Sequence, residues 1–299
     1  MIGAGERRRN VGVACVVGSA VAFGAMVILA RFAFAAGVDP VTLLALRFAI
    51  ASLLMLAMLR IRGSAIPRGT TLGVLVALGA LGYAGQAITY FTALSLAPAG
   101  LAALLLYLHP ALVALLAAVF LHERMTAGKL GALTLALAGT TLTVAPAIGG
   151  DALAGAPKVA IGLAFAVASA AFYAVYIVVA AAIAARAEAL AMSTVVITSA
   201  AAVFVVAMLV RGPHWPQTAG GWVAIIGIAL LCTVVAITLY FAGLERIGPV
   251  RASTLSTIEP LCAVVFAAIL LGETLVPVQL AGGALILAGA VGIARARGA

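Results

Sequence analysis

The chain has 299 residues, of which 66% are hydrophobic and only 8% charged, and it carries a formal net charge of +9. So little charge cannot cover the water-facing surface of a soluble domain of this size, so the solvent for most of the chain is lipid. The basic residues stand in short clusters between apolar runs, with no continuous basic face for nucleic acid, and Cys15, Cys232 and Cys262 are too scattered for a disulfide framework or a metal site.

Apolar runs of about twenty residues are long enough to cross a bilayer core as helix. They predict spans at 11–33, 41–59, 71–93, 99–120, 128–146, 159–183, 190–210, 221–243, 250–271 and 277–294. Arg7, Arg8 and Arg9 precede the first, and Ala33-Phe34-Ala35 has the form of a signal-peptidase site. The apolar run from Val11 to Ala30 exceeds a signal h-region, so it reads as a span. On this first span Phe23 and Met26 are expected to offer apolar wall. Arg47, about two turns inside the outer end of span 2, either snorkels to the interface or attracts a substrate carboxylate.

Tyr83, Gln86 and Tyr90 share one face of span 3, and Tyr107 lies one turn before Pro110 in span 4. His109, beside that proline, is a group able to titrate near neutral pH or a hydrogen-bonded bundle histidine. Glu123 ends the span. Small residues four apart, Ala132, Ala136 and Thr140 in span 5 and Ala284, Ala288 and Gly292 in span 10, suit close helix packing within the chain or between two copies. The Gly-, Ala- and Pro-rich stretch 148–157 reads as a linker between halves 1–147 and 158–299.

In the second half, span 6 places Ser169, Tyr173 and Tyr176 on one face. Span 9 carries Ser253, Ser256, Thr257 and Pro260 at i, i+3, i+4 and i+7. Pro110 and Pro260 each free a carbonyl four residues earlier, at Leu106 and Ser256, which in lipid must face protein, water or ligand. Glu259, near mid-span and off the centre of the polar stripe, braces a neighbouring helix, gates, or carries a proton.

Thirteen of the 17 Lys and Arg residues fall on one side of the predicted threading: the N-terminus, the loops after even-numbered spans and the C-terminus. The positive-inside rule then puts both termini in the cytoplasm, in a multi-pass protein of a bacterial inner membrane. A shift of 150 residues superposes Tyr90-Phe91 on Tyr240-Phe241, Pro110 on Pro260, Glu123 on Glu273, and Ala138-Gly139 on Ala288-Gly289. Five spans per copy is odd, so the copies would enter the bilayer from opposite sides. That architecture suits alternating access in secondary transporters.

At these residues, Tyr90-Phe91-Thr92-Ala93-Leu94, Pro110 and Leu121-His122-Glu123-Arg124, with Tyr240-Phe241, Glu259-Pro260 and Leu271-Gly272-Glu273, the chain resembles the EamA branch of the drug/metabolite transporter superfamily. Its run of sequence looks most like bacterial exporters of aromatic and other neutral amino acids. The resemblance implies an all-α basket of ten helices in two inverted five-helix repeats. Spans 1–4 and 6–9 would enclose a central cavity, with spans 5 and 10 peripheral.

The expected site is mostly apolar with a few hydrogen-bonding groups, suited to a neutral or zwitterionic amphipathic solute. Another metabolite, a drug-like compound or a passive channel are the competing readings. No cofactor is expected. Gly128-Lys129 is followed by Leu130, so no phosphate loop forms, and His122-Glu123 has Thr126 where a zinc hydrolase needs its second histidine. An enzyme is not expected either.

Overall fold

Every regular element is helical in the computed structural model, which describes residues 4–97, 99–147, 156–272 and 275–295. The first half runs α1 (Ala4–Gly24), α2 (Met26–Ala35), α3 (Pro40–Arg62) and α4 (Thr70–Ala77), then a π-helical segment, Leu78–Tyr83, that continues into α5 (Ala84–Leu96). It closes with α6 (Ala99–Leu106), α7 (His109–Phe120) and α8 (Ala127–Val144). The second half follows with one unbroken helix where the first has α1 and α2: α9 (Ala156–Ile183), then α10 (Ala189–Arg211), α11 (Ala219–Ala229), a second π-helical segment at Leu230–Val235, and α12 (Ala236–Ile247). α13 (Pro249–Ser256), α14 (Ile258–Leu271) and α15 (Pro277–Arg295) complete it.

Nine helical stretches among the described residues are long and apolar enough to cross a bilayer. The chain is therefore an all-α, multi-pass membrane protein. The expected span 99–120 is not a single helix. Pro110 has no N–H to donate, the backbone turns at Tyr107–Leu108, and the run divides into α6 and α7.

Local chemistry sets the helix ends. Asp39 accepts from the N–H groups of Val41 (3.0 Å) and Thr42 (3.4 Å), with Pro40 opening α3. Burial alone would raise the Asp39 carboxyl, but the hydrogen bonds from Thr42 and Val41, with His214 nearby, outweigh it and hold it below the usual carboxylate range. At the other end Gly63 turns left-handed (φ +67°) after Arg60 and Arg62, carrying the helix past the expected end at 59. Glu123, expected at a helix boundary, accepts from Lys129 Nζ at 2.9 Å; its counterpart Glu273 lies outside the described residues.

The main packing partners lie across the midpoint of the chain: α1 with α12 and α14, α3 with α10, α5 and α7 with α9, and α8 with α15. Glycine allows the closest of these. A Cβ on Gly139 would stand 2.6 Å from the Gly282 carbonyl oxygen, and one on Gly289 would stand 2.7 Å from that of Ala132. Small residues therefore serve packing of α8 on α15, with a correction to the face of α15. Gly282, Ile286, Gly289 and Ile293 are buried there and Gly292 faces Ala132, from which a Cβ would stand 3.4 Å, whereas Ala284 and Ala288 are exposed. One helix can turn only one of two adjacent stripes inward, and the glycine stripe permits the closer approach.

Candidate functional site

Phe23 from α1, Tyr83 from the first π-helical segment, Tyr173 and Tyr176 from α9, and Ile237 and Tyr240 from α12 surround a cavity of about 10 Å³. That is room for about one water molecule. Tyr173 and Tyr176 are three apart, so α9 presents both on one face. The rings continue in a series: Tyr83 to Tyr176 at 5.7 Å between centroids, Tyr176 to Tyr173 at 6.1 Å, Tyr173 to His109 at 4.5 Å, and His109 to Tyr107 at 6.4 Å. These spacings are those of offset or tilted aromatic packing.

Beside this aromatic wall lies Arg47, only 4% exposed. It does not snorkel to the interface but points into the bundle. Its Nε donates to Thr233 Oγ1 at 2.7 Å, and its terminal nitrogens donate to the Cys232 carbonyl oxygen (3.1 Å), Tyr83 Oη (3.4 Å) and Met26 Sδ (3.1 Å). The guanidinium carbon also sits 4.7 Å from the centre of the Phe48 ring. Thr233 and Tyr83 are 150 residues apart and lie in the two π-helical segments, so one arginine bonds the same position of both halves. A π turn carries an extra residue, which rotates the side chains that follow it, and such turns recur at functional sites.

The two proline breaks differ in detail. His109 Nδ1 lies 3.1 Å from the Leu106 carbonyl oxygen, the acceptor that Pro110 leaves free. A carbonyl can only accept, so the neutral ring carries its proton on Nδ1. Nε2 is then a buried acceptor with no hydrogen-bond partner among the described residues, as is the Tyr240 hydroxyl. In the second half the hydroxyls stabilise the helix end: Ser253 donates to Val250 O (3.1 Å), Ser256 to Ser253 O (2.8 Å) and Thr257 to Thr254 O (2.7 Å). Glu259 is half-buried and has no hydrogen bond or ion pair among the described residues; a Cβ on Gly24 would stand 3.1 Å from its carbonyl oxygen.

The residues singled out by sequence thus fall into three groups. Tyr83, Tyr173 and Tyr176 line the cavity; Tyr107, His109 and Arg47 connect to them through ring contacts and a hydrogen bond, while Tyr90 on α5 and Glu259 on α14 are half-buried off the wall. Gln86 and Ser169 form a clasp between α5 and α9: Gln86 Nε2 donates to Ser169 Oγ (3.2 Å), which donates to the Gln86 carbonyl (3.0 Å). Ser253, Ser256 and Thr257 are buried with their hydroxyls turned to their own helix, and Pro110 and Pro260 are buried beside the helix breaks. Sequence reasoning missed Thr233, the Cys232 carbonyl, Ile237 and Tyr240. The 150-residue shift held the signal for two of them, since Thr233 is the counterpart of Tyr83 and Tyr240 that of Tyr90.

Residues 10–145 and 160–295 each match the model of the EamA-like transporter family. A protein of Archaeoglobus fulgidus described as an uncharacterized transporter is 30% identical over 201 residues, which is 67% of this chain and 69% of that one. A protein crystal structure superposes with a TM-score of 0.81 at 23% identity, covering 95% of this chain and 97% of the other, which is agreement in fold.

Proposed function

Because the chain belongs to the EamA-like transporter family, and so moves small compounds across a membrane, we propose that it is a secondary carrier of neutral or zwitterionic amphipathic solutes. Aromatic and other neutral amino acids, exported across a cytoplasmic membrane, are the foremost class. Transport is by alternating access to the tyrosine-lined chamber between two oppositely threaded five-helix halves, 1–147 and 158–299, joined by 148–157.

The observation that carries this reading is the pairing of elements around the chamber. Exchanging the halves turns the α1–α12 contact into the α9–α5 contact and the α1–α14 contact into the α9–α7 contact. The α3–α10 and α8–α15 contacts map onto themselves. A packing scheme that survives this exchange supports a pseudo-two-fold axis through the chamber, and an odd number of spans per half makes that axis lie in the membrane plane. The wall residues pair the same way at 150 residues: Phe23 with Tyr173, Met26 with Tyr176, Tyr83 with Thr233, and His109 with Glu259. A chamber with room for one water must widen before it admits an amino acid, which the breaks at Tyr107–Leu108 and Thr257 and the two π-helical segments permit.

The test is counterflow in proteoliposomes with labelled threonine, methionine and phenylalanine alongside unrelated lipophilic cations. The expected result is transient accumulation of the amino acids in vesicles preloaded with unlabelled amino acid, lost in Tyr83→Ala. Accumulation of the cations alone would remove the amino-acid assignment. Flux far above carrier turnover, without stimulation by trapped solute, would mark a channel.

A further inference from the structure

We propose that Arg47 is the carboxylate-binding residue of the chamber, held ready by Thr233 and opposed by Glu259, so that the site takes solutes bearing both a carboxylate and an amine. The inference rests on the carrier reading above and names the substrate class for that same chamber.

A guanidinium at this depth is costly unless it is fully hydrogen-bonded and matched by opposite charge. Among the described residues Arg47 has hydrogen bonds but no ion pair, and the four acceptors it reaches there are neutral. They are also unequal. The bonds to Thr233 Oγ1 (2.7 Å) and the Cys232 carbonyl (3.1 Å) are sound and come from the second π-helical segment. The bond to Tyr83 Oη (3.4 Å) is at the long limit, and the acceptor in Met26 is a thioether, a weak one.

Of the weak pair, Tyr83 lines the cavity, and Met26 lies three residues after Phe23, which lines it as well. A carboxylate reaching the two terminal nitrogens from the chamber would replace a long contact and a thioether contact with a charge-assisted, two-pronged hydrogen bond, the geometry a guanidinium favours. Nε would stay on Thr233. Thr233 is thus a positioning residue: its hydroxyl donates in turn to the Ile228 carbonyl (3.1 Å), which aims its lone pairs at Nε.

The same exchange links binding to movement. In this structure Arg47 joins the two π-helical segments through Tyr83 and Thr233. A carboxylate that displaces Tyr83 releases the first segment while leaving the second attached. The opposite charge is Glu259, without a hydrogen bond or ion pair among the described residues; its carbonyl oxygen would stand 3.1 Å from a Cβ on Gly24, next to Phe23 of the cavity wall, where the tyrosine rings can hold the apolar part and favour an ammonium over their faces. Arg47 has Ile197 as its 150-residue counterpart and Glu259 has His109, so the charges break the symmetry of the halves and give the chamber one orientation for a dipolar solute.

The experiment compares L-phenylalanine, phenethylamine (no carboxylate) and 3-phenylpropionate (no amine) in proteoliposomes of wild type, Arg47→Lys, Arg47→Met and Thr233→Val. Wild type should carry phenylalanine in preference to both analogues. Arg47→Lys, which keeps the charge but loses the fork, should raise the phenylalanine KM by roughly tenfold to a hundredfold. Thr233→Val should raise that KM severalfold with little change in maximal rate, and both variants should narrow the preference for phenylalanine over phenethylamine. Should Arg47→Met fail to fold, Arg47→Lys and Thr233→Val carry the comparison.

Unchanged KM values for phenylalanine in both of those variants would overturn the assignment, as would equal handling of phenylalanine and phenethylamine by wild type. A wild-type protein that carries phenethylamine but neither carboxylate sinks the inference and leaves the carrier standing. One that carries none of the three sinks both.

Discussion

A proline inside a membrane helix leaves a carbonyl without its donor, and the imidazole of His109 fills that gap at Leu106. The bond ties the start of α7 to the end of α6 across the break, so its loss should register in stability. His109→Leu strands a buried acceptor and should cost about 1–3 kcal/mol. Tyr240→Phe removes a hydroxyl that has no hydrogen-bond partner among the described residues, and should change stability by less than about 0.5 kcal/mol. Thermal unfolding of the two variants in one detergent checks the contrast, and equal losses would contradict it. The freed carbonyl could be read from Pro110 alone. Its partner could not, because a histidine one residue before a proline is as consistent with a chamber-facing ring as with a back-bonded one. The stripe of Ser253, Ser256 and Thr257 has the same ambiguity: helical spacing tells which side chains share a face, but not whether a hydroxyl donates outward or to its own backbone.

Among whole elements, hydropathy located α10 (expected at 190–210) and α15 (expected at 277–294) to within one residue, whereas the caps at Asp39 and Gly63 carry α3 beyond its expected 41–59. The π-helical segments were beyond its reach. Leu78–Tyr83 and Leu230–Val235 share only their opening leucine when aligned, and one extra residue in a turn barely disturbs an apolar profile. What holds the first in place is tertiary: Gly79 packs against the Val196 carbonyl of α10. The contact between α8 and α15 depends on glycine in the same way and gives a clean test. Gly139→Leu must push its side chain against Gly282 and Ile286 and should lower the melting temperature by several degrees, whereas a Cβ on Gly131 of the same helix meets nothing within 4 Å, so Gly131→Leu should be tolerated. Melting curves in detergent decide it; a Gly139→Leu protein as stable as wild type would mean that the two helices are not packed through this seam.

For the molecule as a whole, what transport requires is that one chamber be reachable from either side in turn. The opposed threading proposed for the two halves would supply that, since equivalent helices would then form equivalent gates on opposite faces. The all-helical, multi-pass character could be read from the sequence, because lipid imposes an apolar helix on every segment separately. The chamber was legible only in part, because it arises where α1, α9 and α12 meet the first π-helical segment and so depends on packing between segments. Ala65 and Trp215 are exposed, 150 residues apart, and occupy the same place in the two halves, after α3 and after α10. With Cys15, Cys232 and Cys262 replaced, an impermeant maleimide applied to intact cells should label Trp215→Cys directly and Ala65→Cys only after the membrane is opened. Labelling of both positions from the same side would contradict the opposed threading and the alternating access built on it.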